Sequence, residues 1–301
     1  MRSFLIILAL SLVASVAMVG DADCASALKK TVAVFEFTND SGYGSLGNIG
    51  QDFSMQLSDA LMESKKFTVL TRKDLDVVFA EQDLSASGRM AKSKAAQTGK
   101  AIPAQILIKG QITEFQENTS GGEQGISIGG VSLGGKKSSA HVAVIVQLIN
   151  STTGEIVNSK RVEGEAKAGG FSIGYSGSFS IGTSNFKKTP LGKAVQMAID
   201  RAVVYITKEM SGISWQGRVM LVKEGTIYVN SGENAGISSG IILRVYREGE
   251  ALVDPETGIE LGKENTKIGD IKITEVQEKF SKAVADGPCA MEVAKGDLVL
   301  E

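Results

Sequence analysis

Ala140-His-Val-Ala-Val-Ile-Val-Gln-Leu-Ile149 is strongly β-branched, and Asn150-Ser-Thr-Thr-Gly154 follows it directly. Branched Cβ atoms restrict χ1 and suit a pleated surface, so the first run predicts a strand. Asn, Ser, Thr and Gly supply turn chemistry, so the second predicts a hairpin turn. Glu155 to Gly164 is then the next strand, and Gln105-Ile-Leu-Ile-Lys-Gly-Gln-Ile-Thr-Glu-Phe115 is a further strand upstream. The middle of the chain is read as sheet.

Two Gly/Ser-rich segments adjoin this unit. In Phe171-Ser-Ile-Gly-Tyr-Ser-Gly-Ser-Phe-Ser-Ile181, the residues Phe171, Ile173, Tyr175, Phe179 and Ile181 take alternate positions, and Ser or Gly fills every remaining one. Successive side chains of a strand point to opposite faces, so this segment carries an apolar row and a small polar row. Gly costs entropy in a soluble strand and packs nothing there. A strand with lipid on one side and a watery lumen on the other fits the pattern. On that reading Phe171, Ile173, Tyr175, Phe179 and Ile181 are lipid-facing, while Ser172, Gly174 and Ser180 face the lumen. A weaker version lies upstream in Gly125-Ile-Ser-Ile-Gly-Gly-Val-Ser-Leu133. The alternative is a pair of flexible Gly/Ser loops, because both runs are short for a bilayer. Lys136-Lys137 and Lys187-Lys188 flank the segments, either as ordinary surface charge or as marks of where strands leave hydrocarbon.

The N-terminus sets the compartment. Arg2 precedes an apolar run from Phe4 to Val19, and Ala25-Ser26-Ala27 follows as an A-x-A site. These are the parts of a secretory signal peptide, with cleavage expected after Ala27. The apolar run is too short, and too soon followed by Asp21 and Asp23, for a good membrane-spanning helix. Cys24 offers the other processing route, acylation, but a charged residue directly before it is wrong for that chemistry. Removing Arg2, Asp21 and Asp23 moves the formal charge from −2 to −1. A chain so near neutrality has no global pull on nucleic acid, and no nucleic-acid partner is expected. Cleavage also leaves Cys289 alone, without a disulfide partner and read as a small buried residue.

Thr31-Val-Ala-Val-Phe-Glu-Phe37 predicts a strand, Gln51 to Glu63 a helix through Phe53, Leu57, Ala60 and Leu61, and Lys66-Phe-Thr-Val-Leu70 a second strand. Thr71-Arg-Lys-Asp74 has the form of a capping box, opening a helix with Leu75, Val78 and Phe79 on one face. Ser85 to Gln97 is Ala-rich and read as helical. Thr189 as N-cap and Pro190 at the first helical position start a long amphipathic helix reaching about Glu209. Beyond Ser211 come short β-type runs at Arg218–Val222, Thr226–Val229, Ile241–Tyr246, Lys272–Val276 and Asp297–Leu300, with a turn at Asp254-Pro-Glu-Thr-Gly258.

Catalytic motifs fare poorly. Gly42-Tyr-Gly-Ser-Leu-Gly47 spells a dinucleotide fingerprint, but Thr38 to Ser41 separate it from its strand and Gly50 delays its helix. The chain offers no metal motif. His141 is the single histidine and is read as a packing residue, since no His or Cys cluster completes a metal site. Asp74 with Asp76, and Glu81 with Asp83, are read as solvated helix faces. Neither catalysis nor a cofactor is expected.

An ordered set of segments carries a family resemblance. Thr31-Val-Ala-Val-Phe35, the helix before Lys66-Phe-Thr-Val-Leu70, Ile106-Leu-Ile-Lys-Gly-Gln-Ile112, Val146-Gln-Leu-Ile-Asn-Ser-Thr-Thr-Gly-Glu-Ile156 and Thr189-Pro-Leu-Gly-Lys-Ala-Val195 follow one another as in the CsgG family. This family comprises curli production assembly/transport components and their relatives, and the resemblance covers about residues 31 to 210. The C-terminal stretch resembles a small β-domain appended to some relatives and to a flagellar assembly protein. What the resemblance implies is an outer-membrane ring in which each subunit lends two β-hairpins to a shared barrel. Unfolded amyloid subunits would be secreted through it. The family's channel has a constriction loop, and the region from Tyr43 to Gln51 is shorter here, which leaves Tyr43 and Asn48 as its candidates.

The expectation is an α+β chain: a mixed sheet with flanking helices and two Gly/Ser-rich β-hairpins, plus a C-terminal all-β, SH3-like or barrel-like domain. Residues 1–27 are the signal peptide, 28–211 the CsgG-like domain with hairpins near 113–149 and 155–188, and 212–301 the small β domain. Expected partners are other copies in a homo-oligomeric ring, the outer membrane, a secreted unfolded protein and periplasmic accessory proteins. The expected location is the outer membrane or the periplasmic space it bounds. The alternative is a soluble periplasmic scaffold with the same core and no pore.

Overall fold

Val142, Val144, Val146 and Leu148 are fully buried; of the alternate row, the small Ala143 is buried too, while His141, Ile145 and Gln147 are only partly so. That period of two is what a sheet with one covered face imposes on a strand. The computed structural model describes residues 28–43, 48–72, 74–87, 102–121, 126–128, 131–133, 136–168, 184–256, 258, 260–288 and 292–301. Its first sheet is built from β1 (Lys30–Val34), β2 (Thr38–Asn39), β3 (Phe67–Leu70), β4 (Ile106–Gly121), β7 (Lys136–Asn150) and β8 (Ile156–Ala168). The order is β3-β1-β4-β7-β8, with β2 against β4. The β1 pairings with β3 and β4 are parallel, and β4, β7 and β8 are antiparallel, so the sheet is mixed as expected. Asn150 makes the predicted turn: its carbonyl accepts from the Gly154 N–H at 2.9 Å and its side chain from the Thr152 N–H at 2.9 Å.

Two helices cover one face. α1 (Ile49–Glu63) contributes Phe53, Leu57 and Leu61, and the Phe53 ring lies 5.2 Å from that of Phe37. A later helix, Pro190–Ser211, buries Leu191, Val195, Ala198, Ile199, Ala202, Tyr205, Ile206 and Met210. It is α4, preceded by α2 (Leu75–Ala86) and the short α3 (Ser184–Lys188). Thr189 caps α4 as its sequence predicted, accepting from the Gly192 N–H at 3.0 Å ahead of Pro190. The approach of α4 to the sheet depends on one glycine: a Cβ on Gly164 would lie 1.9 Å from the Ala194 carbonyl oxygen.

α2 forms where the sequence placed a helix, but the face that Val78 and Phe79 share with Leu75 is not covered: the two are 37% and 42% exposed, whereas Gln82 and Ser85 are buried. Helical spacing says which residues share a face, not whether anything packs on it. Asp74, Asp76, Glu81 and Asp83 are exposed, as read.

The C-terminal strands close on themselves. β9 (Gln216–Lys223), β10 (Thr226–Val229), β11 (Ile242–Val253), β12 (Glu260–Val276), β13 (Ser281–Ala285) and β14 (Leu298–Leu300) form a closed barrel in the order β10-β13-β12-β11-β14-β9. Its core holds Trp215, Val219, Ile227, Val229, Leu243, Val245, Ile271, Ile273, Ala283 and Val299. Leu28 joins this core, and the Lys29 N–H donates to the Ala235 carbonyl at 2.8 Å. Residue 28, assigned from sequence to the first segment, therefore packs with the last. Arg247 Nε and Nη2 grip the Asp297 carboxylate at 2.9 Å each, and Asp297 also accepts from the Ala294 N–H at 2.8 Å. Burial raises the Asp297 pKa, but the guanidinium and the N–H outweigh it and hold the carboxyl below its ordinary value.

Candidate functional site

The register brings together what the sequence keeps apart. β4 ends at Gly121 opposite Lys136, the first residue of β7, and β8 ends at Ala168 opposite Ser138. The segment joining β4 to β7 and the segment following β8 thus leave the sheet at the same end, side by side. These are the two Gly/Ser stretches. Within the first, β5 (Ile126–Ile128) pairs antiparallel with β6 (Val131–Leu133), with Ile126 opposite Leu133 and Ile128 opposite Val131. Phe171, Ser172, Ile173, Gly174, Tyr175, Phe179, Ser180 and Ile181 lie outside the described residues, as do Ala27, Cys24 and Cys289.

Tyr43 and Asn48 are held by ordinary fold contacts. The Tyr43 ring packs on Phe115 of β4 at 5.1 Å. Its burial, with the Glu117 carboxylate nearby, raises the phenol pKa. Asn48 is the N-cap of α1: its side-chain oxygen accepts from the Gln51 N–H at 3.2 Å, and its amide donates to Glu36 at 2.6 Å. Tyr43 therefore stands against β4, and Asn48 at the entry to α1.

The sheet face away from the helices carries a charged network absent from the sequence reading. Arg161 of β8 donates to Glu114, to Glu163 at 2.7 Å and to the Thr113 hydroxyl at 3.1 Å. His141 Nε2 lies 3.2 Å from the second Glu114 oxygen. His141 is thus a half-exposed partner of a carboxylate, and its expected packing role is corrected to this pairing. The signal was available in Asn158-Ser-Lys-Arg-Val-Glu-Gly-Glu165, whose charges sit on a strand that could only be an edge or an open face. Half-exposed ion pairs of this kind add little stability.

A groove runs between β8 and α4, lined in part by Lys160, Val162, Arg201, Val204, Tyr205 and Lys208. Lys160 stands over the Tyr205 ring, 5.5 Å from its centroid. Burial of Tyr205, together with Glu209, pushes its pKa up to about 12. Among the described residues no three His, Cys, Asp or Glu side chains converge on a metal position. No described helix is long and apolar enough to cross a membrane, which leaves crossing by strands untouched.

The chain is similar to several known proteins. The family model for the curli production assembly/transport component CsgG matches residues 16–238. A putative lipoprotein of Neisseria meningitidis serogroup B is 28% identical over 169 residues, covering 56% of this chain and 68% of that protein. Hypothetical protein CT253 from Chlamydia trachomatis is similar at 18% identity and a TM-score of 0.37, covering 59% of this chain and 95% of that one. A PelC dodecamer from Paraburkholderia phytofirmans is similar at 12% identity and a TM-score of 0.27, covering 57% of this chain and 85% of that one.

Proposed function

This chain belongs to the CsgG family, and from that premise we propose that it is a ring-forming secretion or assembly component of the bacterial outer membrane. One observation carries the reading: both Gly/Ser segments leave the sheet at one end, adjacent to each other. As proposed hairpins, the two segments of one subunit would make a small sheet with open edges. Such a sheet cannot sit in lipid, because its unpaired backbone groups would have no water. Subunits must therefore pool their hairpins and close a barrel. An unfolded curli-like protein would pass through by diffusion, delivered by periplasmic accessory proteins, with neither cofactor nor hydrolysis. Tyr43, against β4, and Asn48, at the entry to α1, are the residues proposed to narrow the passage.

A second reading keeps the same core as a soluble periplasmic scaffold. What favours it is the length of β5 and β6, three residues each, against the nine to eleven or so that span a bilayer. Deleting Phe171–Ile181 separates the two. The ring reading expects the deletion to abolish membrane association while the soluble core stays folded; normal fractionation of the deletion with the outer membrane contradicts it. Export with loss of residues 1–27 is proposed as well, and the intact mass of the mature protein distinguishes that cleavage from acylation at Cys24.

A further inference from the structure

β8 pairs with β7 along one edge, and among the described residues no strand pairs with the other. In an antiparallel strand the N–H and C=O of a residue point the same way, and the direction alternates along the chain. The Glu163 carbonyl accepts from Arg201 of α4 at 2.6 Å, which marks Arg161, Glu163 and Glu165 as the outward row. Beside this edge lies the groove of α4. Three cations, Lys160, Arg201 and Lys208, share it with the Asp200 carboxylate, while the Arg161 and Glu163 side chains pair on the other face of the sheet. Val204 within it is 69% exposed.

The barrel offers the opposite surface. β14 pairs with β11 only at Arg244–Tyr246, and β13 pairs with β12 only at Ile271–Val276. Beyond these, residues 247–253 and 260–266 pair with each other as an arm running past the barrel wall. Among the described residues the arm carries Glu250, Asp254 and Glu256, and the sequence from 249 to 262 contains no Lys or Arg. Leu252 and Val253 on the arm are 55% and 54% exposed.

We propose that the outer edge of β8 and its groove receive the acidic β11–β12 arm of a second copy of this chain. The arm's carboxylates meet the groove's cations, and Leu252 and Val253 meet Val204. The two open backbone edges lie alongside each other, as in strand addition. Charges along an edge strand guard it against indiscriminate pairing, and here the cations admit an acidic strand and repel a basic one. Arm and groove are different surfaces, so the contact runs head to tail from copy to copy and closes a ring when the rotation permits. The inference rests on the ring reading and supplies an interface for it outside the membrane.

The test uses the full mature chain carrying Cys289→Ser. Val204→Cys and Leu252→Cys are made as separate variants and mixed under mild oxidation. The expected result is a disulfide-linked heterodimer well above a control mixture of Val204→Cys with Val284→Cys, which lies on the barrel wall. Linked product no greater than that control overturns the proposal. Sedimentation supplies an independent arm: Glu250→Lys with Glu256→Lys should weaken self-association roughly tenfold. Mixing that variant with a Lys160→Glu, Lys208→Glu chain should restore association; failure to restore it also counts against the pairing. Rings that insert and conduct without linked product would remove this interface and leave the ring reading standing. Linked product from a chain that never reaches a membrane would support the interface and remove the pore.

Discussion

The sheet of residues 30–168 and the barrel of residues 216–300 treat their strand edges in opposite ways. The barrel closes its six strands, so every wall strand has two partners, and Leu28 is the one residue from before the sheet in its described core. The sheet leaves β3 and β8 at its margins, and one of its faces lies open with Arg161, Glu163, Glu114 and His141 upon it. Only the β11–β12 arm of the barrel runs past the wall. The difference teaches where each region spends its surface. Closure gives every barrel strand two partners, whereas open edges and a shared end give the sheet places to be completed by something else.

If the two regions hold themselves together separately, damage to one should leave the other's unfolding signal in place. The largest effect is expected at Gly164, where any Cβ meets the backbone of α4. Gly164→Val should destabilise the sheet and its helices by about 3 kcal/mol, read as a shift in the helical circular dichroism transition. Trp215, the single tryptophan, sits in the barrel core, and its fluorescence transition should barely move. Equal shifts of both signals would break the comparison and show one cooperative unit.

The complementary change is Asp297→Asn, which removes the charge that Arg247 grips. It should cost the barrel about 2 kcal/mol at neutral pH, seen in Trp215 fluorescence during urea unfolding. The sign with pH follows from the depressed carboxyl. Its contribution is complete above the ordinary aspartate value of about 3.9 and is lost as pH falls through the lower folded value. Wild type and variant should therefore converge in acid. A gap that stays constant below that value would mean the carboxylate charge is not what stabilises the barrel.

The smallest effect is expected at Asn48. Asn48→Ala removes the cap of α1 and should cost about 1 kcal/mol in the helical signal alone. A larger loss of transport than that destabilisation explains would support its proposed place in the constriction.

Much of this division was legible in the sequence, for physical reasons that also explain the failures. Ala140 to Ile149 could be read as strand because its branched side chains suit a pleated surface. Thr189 and Pro190 announced α4 because cap chemistry is local. The arm was not legible: Glu250 to Val253 is exposed, so no burial forces alternation on it. β13 was missed as well, since Ser281-Lys-Ala-Val-Ala285 offers a short, weakly apolar run. Leu28 in the barrel core is a contact made across more than half the chain, which no local pattern encodes. The candidate site is split in the same way. The composition of the Gly/Ser segments could be read directly, but their meeting at one end of the sheet emerged only from the register of β4, β7 and β8.

The central claim is that the second Gly/Ser segment crosses a membrane as part of a pooled barrel. Paired lysine substitutions in planar bilayers test it most directly. A lysine on the lipid row costs about 2–4 kcal/mol at the bilayer midplane, while one on the lumen row stays in water. The account predicts that Ile173→Lys blocks insertion and that Ser172→Lys inserts normally with altered conductance. Neither wild type nor variant producing any conductance would contradict the pore, and equal tolerance of both lysines in a conducting ring would contradict the assignment of its faces.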